Sequence, residues 1–189
     1  MKFLFFDLET TGLSCNENGI HQISGCVEVD GEVKENFNYS VAPNPTLKIS
    51  DEALAISNKT REEVQAYPPM NQVYKQFIDL LGKYVDKYDK KDKFFLIGYN
   101  NSSFDNQFLR NWFIQNNDKY FGSWFWPNTL DVYVLATQKL LHERNDMQDF
   151  KLKTVCKKLG IEVDELKLHD ANYDIELTRK LYKIVISLN

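Results

Sequence analysis

Four acidic side chains, those of Asp7, Glu9, Asp105 and Asp174, occupy positions where the surrounding sequence predicts burial. Asp7 and Glu9 are two residues apart at the end of an apolar segment, so both project from one face of a strand. Asp105 and Asp174 each lie in helical register with apolar residues, which are Phe108, Leu109 and Trp112 for the first and Leu177, Leu181, Ile184 and Leu188 for the second. A buried, unpaired carboxylate costs several kcal/mol, so each acid requires a partner.

Divalent cations are the partners that best suit this set of acids. Four carboxylates gathered at one place would repel each other as well as lose hydration. Mg²⁺ and Mn²⁺ prefer oxygen ligands, and the acids lack the Cys and His companions that would favour zinc. Two such ions about 3.5–4 Å apart can activate a water molecule and stabilise the leaving oxygen of a phosphodiester. The pattern therefore predicts phosphodiester hydrolysis with two Mg²⁺ or Mn²⁺ ions as cofactors.

Each acid taken alone also has an ordinary structural explanation. Asp7 and Glu9 could end a strand before a turn, and Asp105 could cap its helix. Asp174 could pair with a neighbouring Lys or Arg. Their joint placement favours one functional site, whereas Asp131 is interpreted as a helix N-cap. Two of the three histidines, His21 and His142, are interpreted as structural.

The elements that must position these acids form an α/β domain. Strands are predicted over residues 2–8, 20–29, 33–41 and 94–98, with a fifth near residues 124–126 or just after them. The turn at Asp30-Gly31 makes the first three strands an antiparallel meander. Helices are predicted over residues 51–57, 61–66, 70–88, 104–115, 131–142, 153–159 and 171–188. Three strands followed by alternating helices and strands indicate a five-stranded mixed sheet flanked by helices.

The length, composition and charge of the sequence limit the class of protein. The length of 189 residues and the 14% aromatic content indicate one folded domain over residues 1–189. The three cysteines have no paired spacing and no signal peptide or membrane span is evident, so we expect a cytoplasmic protein without membrane partners. The net charge of −4 argues against affinity for nucleic acid based on broad phosphate neutralisation, but it does not decide the question because metal ions could still bind phosphates. The Lys-rich residues 87–93 and 151–158 either form solvated faces or guide a strand.

Three motifs carry a family resemblance. They are Phe6-Asp7-Leu8-Glu9-Thr10-Thr11-Gly12-Leu13, then Gly98-Tyr99-Asn100-Asn101-Ser102-Ser103-Phe104-Asp105, and then His169-Asp170-Ala171-Asn172-Tyr173-Asp174. In order and spacing they resemble the motifs of the DnaQ-like exonucleases, the DEDDh family with a ribonuclease H-like fold. Residues 49–64 and Leu130-Asp131 also resemble segments of that family. The second motif is most similar to that of bacterial exonuclease I.

This resemblance implies specific roles for the motif residues. Asp7, Glu9, Asp105 and Asp174 would hold the two ions, and His169 would be the general base. Because five residues of helix turn by about 500°, His169 is expected in the loop before the last helix and not on the face of Asp174. The residues implied to hold the terminal nucleotide are Thr10, Thr11, Gly12 and Leu13, with Asn101 as a weaker candidate near the scissile strand.

The implied activity is 3′-to-5′ exonucleolytic hydrolysis of single-stranded nucleic acid, DNA more than RNA, releasing nucleoside 5′-monophosphates. The partners would be single-stranded 3′ ends and, in one alternative, a polymerase or repair protein for which the chain acts as a proofreading subunit. A second alternative is a non-catalytic module that holds a strand end or a protein. The presence of all four acids and the histidine argues against the second alternative.

Overall fold

The sheet has five strands in the order β3-β2-β1-β4-β5 in a computed structural model that describes residues 1–168 and 170–187. The strands are β1 (Lys2–Thr10), β2 (Ile20–Val29), β3 (Glu32–Ser40), β4 (Phe95–Gly98) and β5 (Leu130–Asp131). The first three form an antiparallel meander, whereas β4 runs parallel to β1 and β5 parallel to β4. The predicted α/β class with a mixed sheet is confirmed.

Eight α-helices flank the sheet in the described part of the chain. They are α1 (Asp51–Ile56), α2 (Arg61–Gln65), α3 (Met70–Gly82), α4 (Asp105–Gln115), α5 (Phe121–Trp124), α6 (Val132–Lys139), α7 (Leu152–Lys158) and α8 (Ala171–Ile186). Two 3₁₀ helices cover Leu141–Asp146 and Glu165–Lys167. Among these described helices, none has the length and apolar character needed to cross a lipid bilayer.

The predicted strand over residues 2–8 extends to Thr10, and the helix predicted over residues 131–142 ends at Lys139. Larger differences concern the third helix and the fifth strand. The helix predicted to reach residue 88 ends at Gly82, because the chain then turns and the Asp86 N–H donates to Asp92 Oδ2 at 2.9 Å. The fifth strand is not at residues 124–126, since Trp124 ends α5 and only Phe125 bridges to Phe94. It lies at Leu130–Asp131, within the second of the two predicted locations.

The sheet separates two apolar clusters, and the alternation of side chains along β1 assigns its residues to one or the other. Leu4, Phe6 and Leu8 pack with α3 and α4 on one side. Phe3 and Phe5 pack with α6, α7 and α8 on the other side. Asp7 and Glu9 continue the second series, so they lie on the face that α8 covers.

His21, at the start of β2, is a buried structural histidine as predicted, with 1% of its surface exposed. Its Nε2 lies 3.3 Å from Ser57 Oγ, and its Nδ1 has no hydrogen-bond partner among the described residues. Burial, and secondarily the charge of Lys59, lowers the pKa of His21 to about 4. The unfolded chain therefore binds a proton more readily than the folded one, and the stability associated with His21 is lost as pH falls from about 6.5 to about 4.

We expect His21→Gln to remove a pH-dependent loss of stability on the order of 3 kcal/mol between those pH values. Urea unfolding at pH 7 and at pH 4.5 measures it as the difference between wild type and variant, which cancels the contribution of the carboxylates. The exposed His142, changed to Gln, serves as the control. Equal slopes of stability against pH for wild type and His21→Gln would contradict the assignment.

Candidate active site

The end of β1 presents the first two acids. Asp7 and Glu9 are half-buried and face α8, opposite Ser24 and Gln22 of β2. The pairing with β2 shifts register between Glu9 and Thr10, where the strand gives way to a loop. The pairing with β4 covers only Phe3 to Phe5, so β1 extends beyond its parallel neighbour. The two acids thus stand at an open carboxyl edge of the sheet, which is the usual location of ligand sites in α/β folds.

Asp105 joins this edge from the opposite layer of helices. It is the first residue of α4, it is only 6% exposed, and its Oδ1 accepts a hydrogen bond from Leu8 N at 3.2 Å. Leu8 stands between Asp7 and Glu9, so this bond fixes the start of α4 to the acidic end of β1. The alternative of helix capping is wrong, because the N-cap position belongs to Phe104 and no side chain caps the helix.

Asp174 reaches the site from the first turn of α8. Asp170 caps this helix by accepting a hydrogen bond from Tyr173 N at 3.0 Å, which sets where the first turn begins. Asp174 is half-buried, and together with Asp7 it lines a cavity of about 180 Å³ between β1 and α8. The structure therefore brings acids from three separate elements to one edge of the sheet.

The electrostatics of the site show how closely these acids are gathered. Burial, together with the charges of Asp105, Glu9 and Asp174, raises the pKa of Asp7 well above its ordinary value. Burial raises the pKa of Asp105 to about 7, although the hydrogen bonds from its own backbone and from Leu8 oppose the shift. Carboxylates whose ionisation is opposed by burial and by neighbouring acids are donors that a hard divalent cation stabilises.

The four acids lie at one edge of the sheet, but their carboxylates are not arranged around one common metal position. Within residues 1–168 and 170–187, no group of three or more His, Cys, Asp or Glu side chains is arranged to hold a metal ion by itself. Mg²⁺ characteristically takes one or two carboxylates and completes its shell with waters and substrate oxygens. These oxygen donors are therefore of the chemical type that suits a hard divalent cation.

Asp131 organises the loop that leads to Asp105. It caps α6 as predicted by accepting from Tyr133 N at 3.0 Å. The same carboxylate also accepts from Asn100 N at 2.9 Å and from Ser102 N at 3.0 Å. Sequence reasoning missed this second role, although the Asn100 φ of 64° shows that the loop needs such a brace.

The loop after β1 divides the predicted nucleotide-binding residues into buried and exposed ones. Thr11 is fully buried, where its Oγ1 donates to Lys48 O and accepts from Gly19 N, both at 2.9 Å. Thr10 is also buried, and its Oγ1 donates to Gly12 O at 2.8 Å. Leu13, in contrast, is 85% exposed. The loop therefore exposes the apolar side chain of Leu13, while hydrogen bonds of Thr10 and Thr11 hold the rest of the loop in place.

Asn18 is a further residue of this loop that sequence reasoning missed. Its side chain accepts from Ser14 N at 3.1 Å and donates to Thr11 O and Lys48 O at 3.3 and 3.0 Å. A Cβ at Gly12 would lie 2.4 Å from the Asn18 amide, so only glycine fits at that position. The signal available in the sequence was that glycine in the first motif.

The two remaining predicted site residues are Asn101 and His169. Asn101 is fully buried, and its Nδ2 donates to Thr129 Oγ1 at 3.0 Å. The structure thus places this amide beneath the site and not on its surface. His169, the predicted base, lies outside the described residues.

Comparison with known proteins is decisive for the family. The RNase T family model, described as an exonuclease, matches residues 4–182. The chain belongs to this exonuclease family. The resemblance inferred from the three motifs is thereby confirmed, and the protein is a nuclease by family.

Two kinds of relative are similar to the exonuclease chain over nearly its whole length. The PolC-type DNA polymerase III of Oceanobacillus iheyensis is 32% identical over 97% of the chain, and that of Halalkalibacterium halodurans is 27% identical over 95%. Exodeoxyribonuclease I of Buchnera aphidicola is 25% identical over 98%. The chain spans 11% of each of these polymerases and 39% of the exodeoxyribonuclease.

The fold also matches solved structures. The crystal structure of E. coli exonuclease I in complex with a dT13 oligonucleotide superposes with a TM-score of 0.75 at 24% identity. The match covers 97% of this chain and 40% of that one. The predicted ribonuclease H-like fold is confirmed.

Proposed function

We propose that the protein is a 3′-to-5′ exonuclease that hydrolyses terminal phosphodiesters of single-stranded nucleic acid, DNA in preference to RNA, and releases nucleoside 5′-monophosphates. The observation that carries the proposal is the meeting of Asp7, Asp105 and Asp174, from three elements, at one edge of the sheet. Like charges gathered at this edge destabilise the fold, and such strain is typical of sites shaped for a ligand.

Asp7, Glu9, Asp105 and Asp174 would hold two Mg²⁺ or Mn²⁺ ions. When bound, these cations supply positive charge that polarises the phosphodiester and favours ionisation of water. The raised pKa values of Asp7 and Asp105 support this assignment, because a cation restores the ionised form of both groups.

The remaining motif residues would bind and orient the strand. Leu13, which is exposed, would pack against the terminal base, and the backbone of Thr10 and Gly12 would lie near the 3′-hydroxyl. Thr11 and Asn101 would support the site indirectly, since both side chains are fully buried. Thr11 would keep the loop after β1 in place, and Asn101 would keep the loop between β4 and Asp105 in place. His169 would accept a proton from the attacking water at an imidazole nitrogen.

The comparisons add support at a coarser level. The exonuclease I structure was solved with a dT13 oligonucleotide, which favours single-stranded DNA as the substrate of this chain also. The PolC-type relatives favour a second candidate, proofreading beside a polymerase. A strong preference for a mismatched primer end in the presence of a polymerase would distinguish proofreading from free-strand degradation.

We also propose that residues 1–189 act as one exonuclease domain, which the family match over residues 4–182 supports. The described cysteines are free, and Cys26 and Cys156 are buried. This state is compatible with the reducing cytoplasm that we propose as the working location.

The substrate and the metal requirement can be tested together. We expect a single-stranded DNA labelled at its 5′ end to give a ladder of shortening products with Mg²⁺ or Mn²⁺, and RNA of the same sequence to be degraded more slowly. Excess EDTA should abolish cleavage, and Ca²⁺ should support strand binding with little turnover because it takes looser coordination. Gel electrophoresis resolves the products and fluorescence anisotropy measures the binding.

Three outcomes would contradict the proposal. Immediate release of the label as a mononucleotide would reverse the direction, and a single internal product would indicate an endonuclease. Full activity in EDTA would exclude the metal assignment. Blunt and recessed duplexes included in the same experiment define whether a free single strand is required.

A further inference from the structure

The contact between β1 and α8 is incomplete at the acidic site. The cavity of about 180 Å³ between them is lined by Asp7 and Asp174, and its remaining walls are Phe5, Phe6, Tyr99, Leu152, Ile175 and Thr178. Protein interiors are otherwise packed as densely as organic crystals. At the level of Asp174, therefore, α8 is not closely packed against the end of β1 that carries Asp7.

Further along α8, hydrogen bonds from Arg179 to Glu28 hold the helix in place. Arg179 donates to Glu28 Oε2 from Nη2 at 2.5 Å and from Nε at 3.2 Å. Glu28 is 3% exposed and lies on β2 directly opposite Phe3 of β1. The Arg179 guanidinium also lies 5.7 Å from the ring centre of Phe5. This ion pair therefore joins α8 to β2, and its guanidinium packs against β1.

We propose that Arg179 and Glu28 are positioning residues that hold α8 in the register at which Asp174 faces Asp7. The proposal rests on the proposed function, since it concerns the same set of acids. Asp174 and Arg179 are five residues apart, so the fixed contact lies about 7.5 Å along the helix from the acid that it positions.

The aromatic contacts that Tyr182 makes from this part of α8 are less selective for register. Tyr182 meets the rings of Phe3 and Phe5 edge to face, with 5.7 Å between ring centres in each pair. Aromatic pairs are favourable over centroid separations of about 4.5–7 Å, so they tolerate sliding of one ring past another. Two hydrogen bonds converging on one carboxylate oxygen tolerate much less displacement.

A role in setting the register of α8 explains this ion pair better than a contribution to the stability of the fold. Replacing both members of a buried ion pair by apolar residues is often neutral or stabilising, whereas removing one member leaves an uncompensated buried charge. The double variant Arg179→Met with Glu28→Leu therefore removes the directional contact without creating such a charge. The single variant Glu28→Gln is expected to lower the melting temperature.

The test measures Mg²⁺ affinity by calorimetry and the melting temperature of the same samples. We expect the double variant to melt close to wild type and to bind Mg²⁺ about 10- to 100-fold more weakly, the usual cost of losing a partner that orients a metal ligand. Arg179→Lys, which keeps the charge but not the paired donors, should fall between wild type and the double variant. A purely structural role would change the melting temperature and leave the Mg²⁺ affinity of the folded protein unchanged.

Lys180→Met is the matched control. Lys180 forms an exposed ion pair with Glu176 on the same helix, at 2.6 Å, so the substitution removes a charge next to Arg179 without touching the sheet. Its Mg²⁺ affinity should equal that of wild type. A crystal structure of the double variant adds a readout that needs no metal, because Asp174 should be displaced relative to Asp7.

Wild-type Mg²⁺ affinity in the double variant, or an undisplaced Asp174, would overturn the positioning role. Failure of the proposed function has a different signature. In that case the wild-type protein leaves every nucleic acid intact, while the displacement of Asp174 in the double variant still decides the role of the ion pair.

Discussion

Asp7→Asn should lower exonuclease activity by about 10³-fold or more and at the same time raise the melting temperature of the metal-free protein. The loss follows because Asp7 lies among all the other acids of the site, and a metal ion supplies several kcal/mol of charge stabilisation in such a reaction. The gain in stability follows because a neutral amide is not repelled by Asp105, Glu9 and Asp174.

The gain in stability of Asp7→Asn must depend on pH in a defined direction. The pKa of Asp7 is raised in the folded protein, first by burial and then by the neighbouring acids, so the folded state holds the proton more tightly than the unfolded chain does. The stability linked to this group is present at low pH and is lost as pH rises through the folded-state pKa. Thermal unfolding in EDTA should therefore show a larger advantage of the variant at pH 8 than at pH 5.

The controls for Asp7→Asn separate the site from general effects of charge. Asp174→Asn should behave in the same way, with activity lost and the metal-free fold retained or more resistant to heat. Asp51→Asn, which removes an exposed partner of Arg61, should change neither activity nor the pH dependence of melting. If Asp7→Asn and Asp174→Asn both melted below wild type without metal, these acids would not be held in mutual repulsion.

The parts of the fold that could be predicted from the sequence are those set by local periodicity. The bounds of β2 are as predicted, because its strand pattern ends at the Asp30-Gly31 turn. The shared face of Asp7 and Glu9 follows in the same way from the two-residue period of β1. Periodicity also turned Asp105 toward the interior, where it is buried.

The parts that could not be predicted depend on contacts between distant segments. β5 has only two residues and is defined by pairing with Ile97 and Gly98 of β4, so no local sequence pattern predicts it. Thr11, one of the motif residues implied to hold the terminal nucleotide, has a buried side chain whose hydroxyl bonds the carbonyl of Lys48, 37 residues away. A motif identifies which residues matter, whereas tertiary hydrogen bonds decide which of them face the ligand.

The same limit explains why supporting residues were missed. Asn18 and the second role of Asp131 consist of hydrogen bonds to backbone groups of other loops, and such bonds place few constraints on residue spacing. Glu28 alone on a strand looks like one more exposed acid, yet it is buried against Arg179, 151 residues later in the chain. These residues become visible only when the elements are assembled.

His169→Ala should lose about 10²- to 10⁴-fold in turnover, the usual contribution of a general base. His169 opens the third motif, two residues before α8 begins at Ala171, and Asp174 follows within the first turn of that helix. His169, the proposed base, and Asp174 thus belong to one short segment of the sequence. Metal affinity and strand binding should change little, since the histidine is not among the proposed ligands.

The pH profile of turnover separates a base from a binding residue. A base must be unprotonated to accept a proton, and an unperturbed histidine titrates near pH 6.5, so the wild-type rate should fall as pH drops through that region. The direction of this effect, and not its midpoint, is the prediction. In His169→Ala the slow residual rate should lose this dependence, while the exposed His142→Ala should keep the wild-type profile. Turnover near the wild-type rate in His169→Ala, or a loss traced by calorimetry to absent metal binding, would remove His169 as the base and with it the DEDDh assignment.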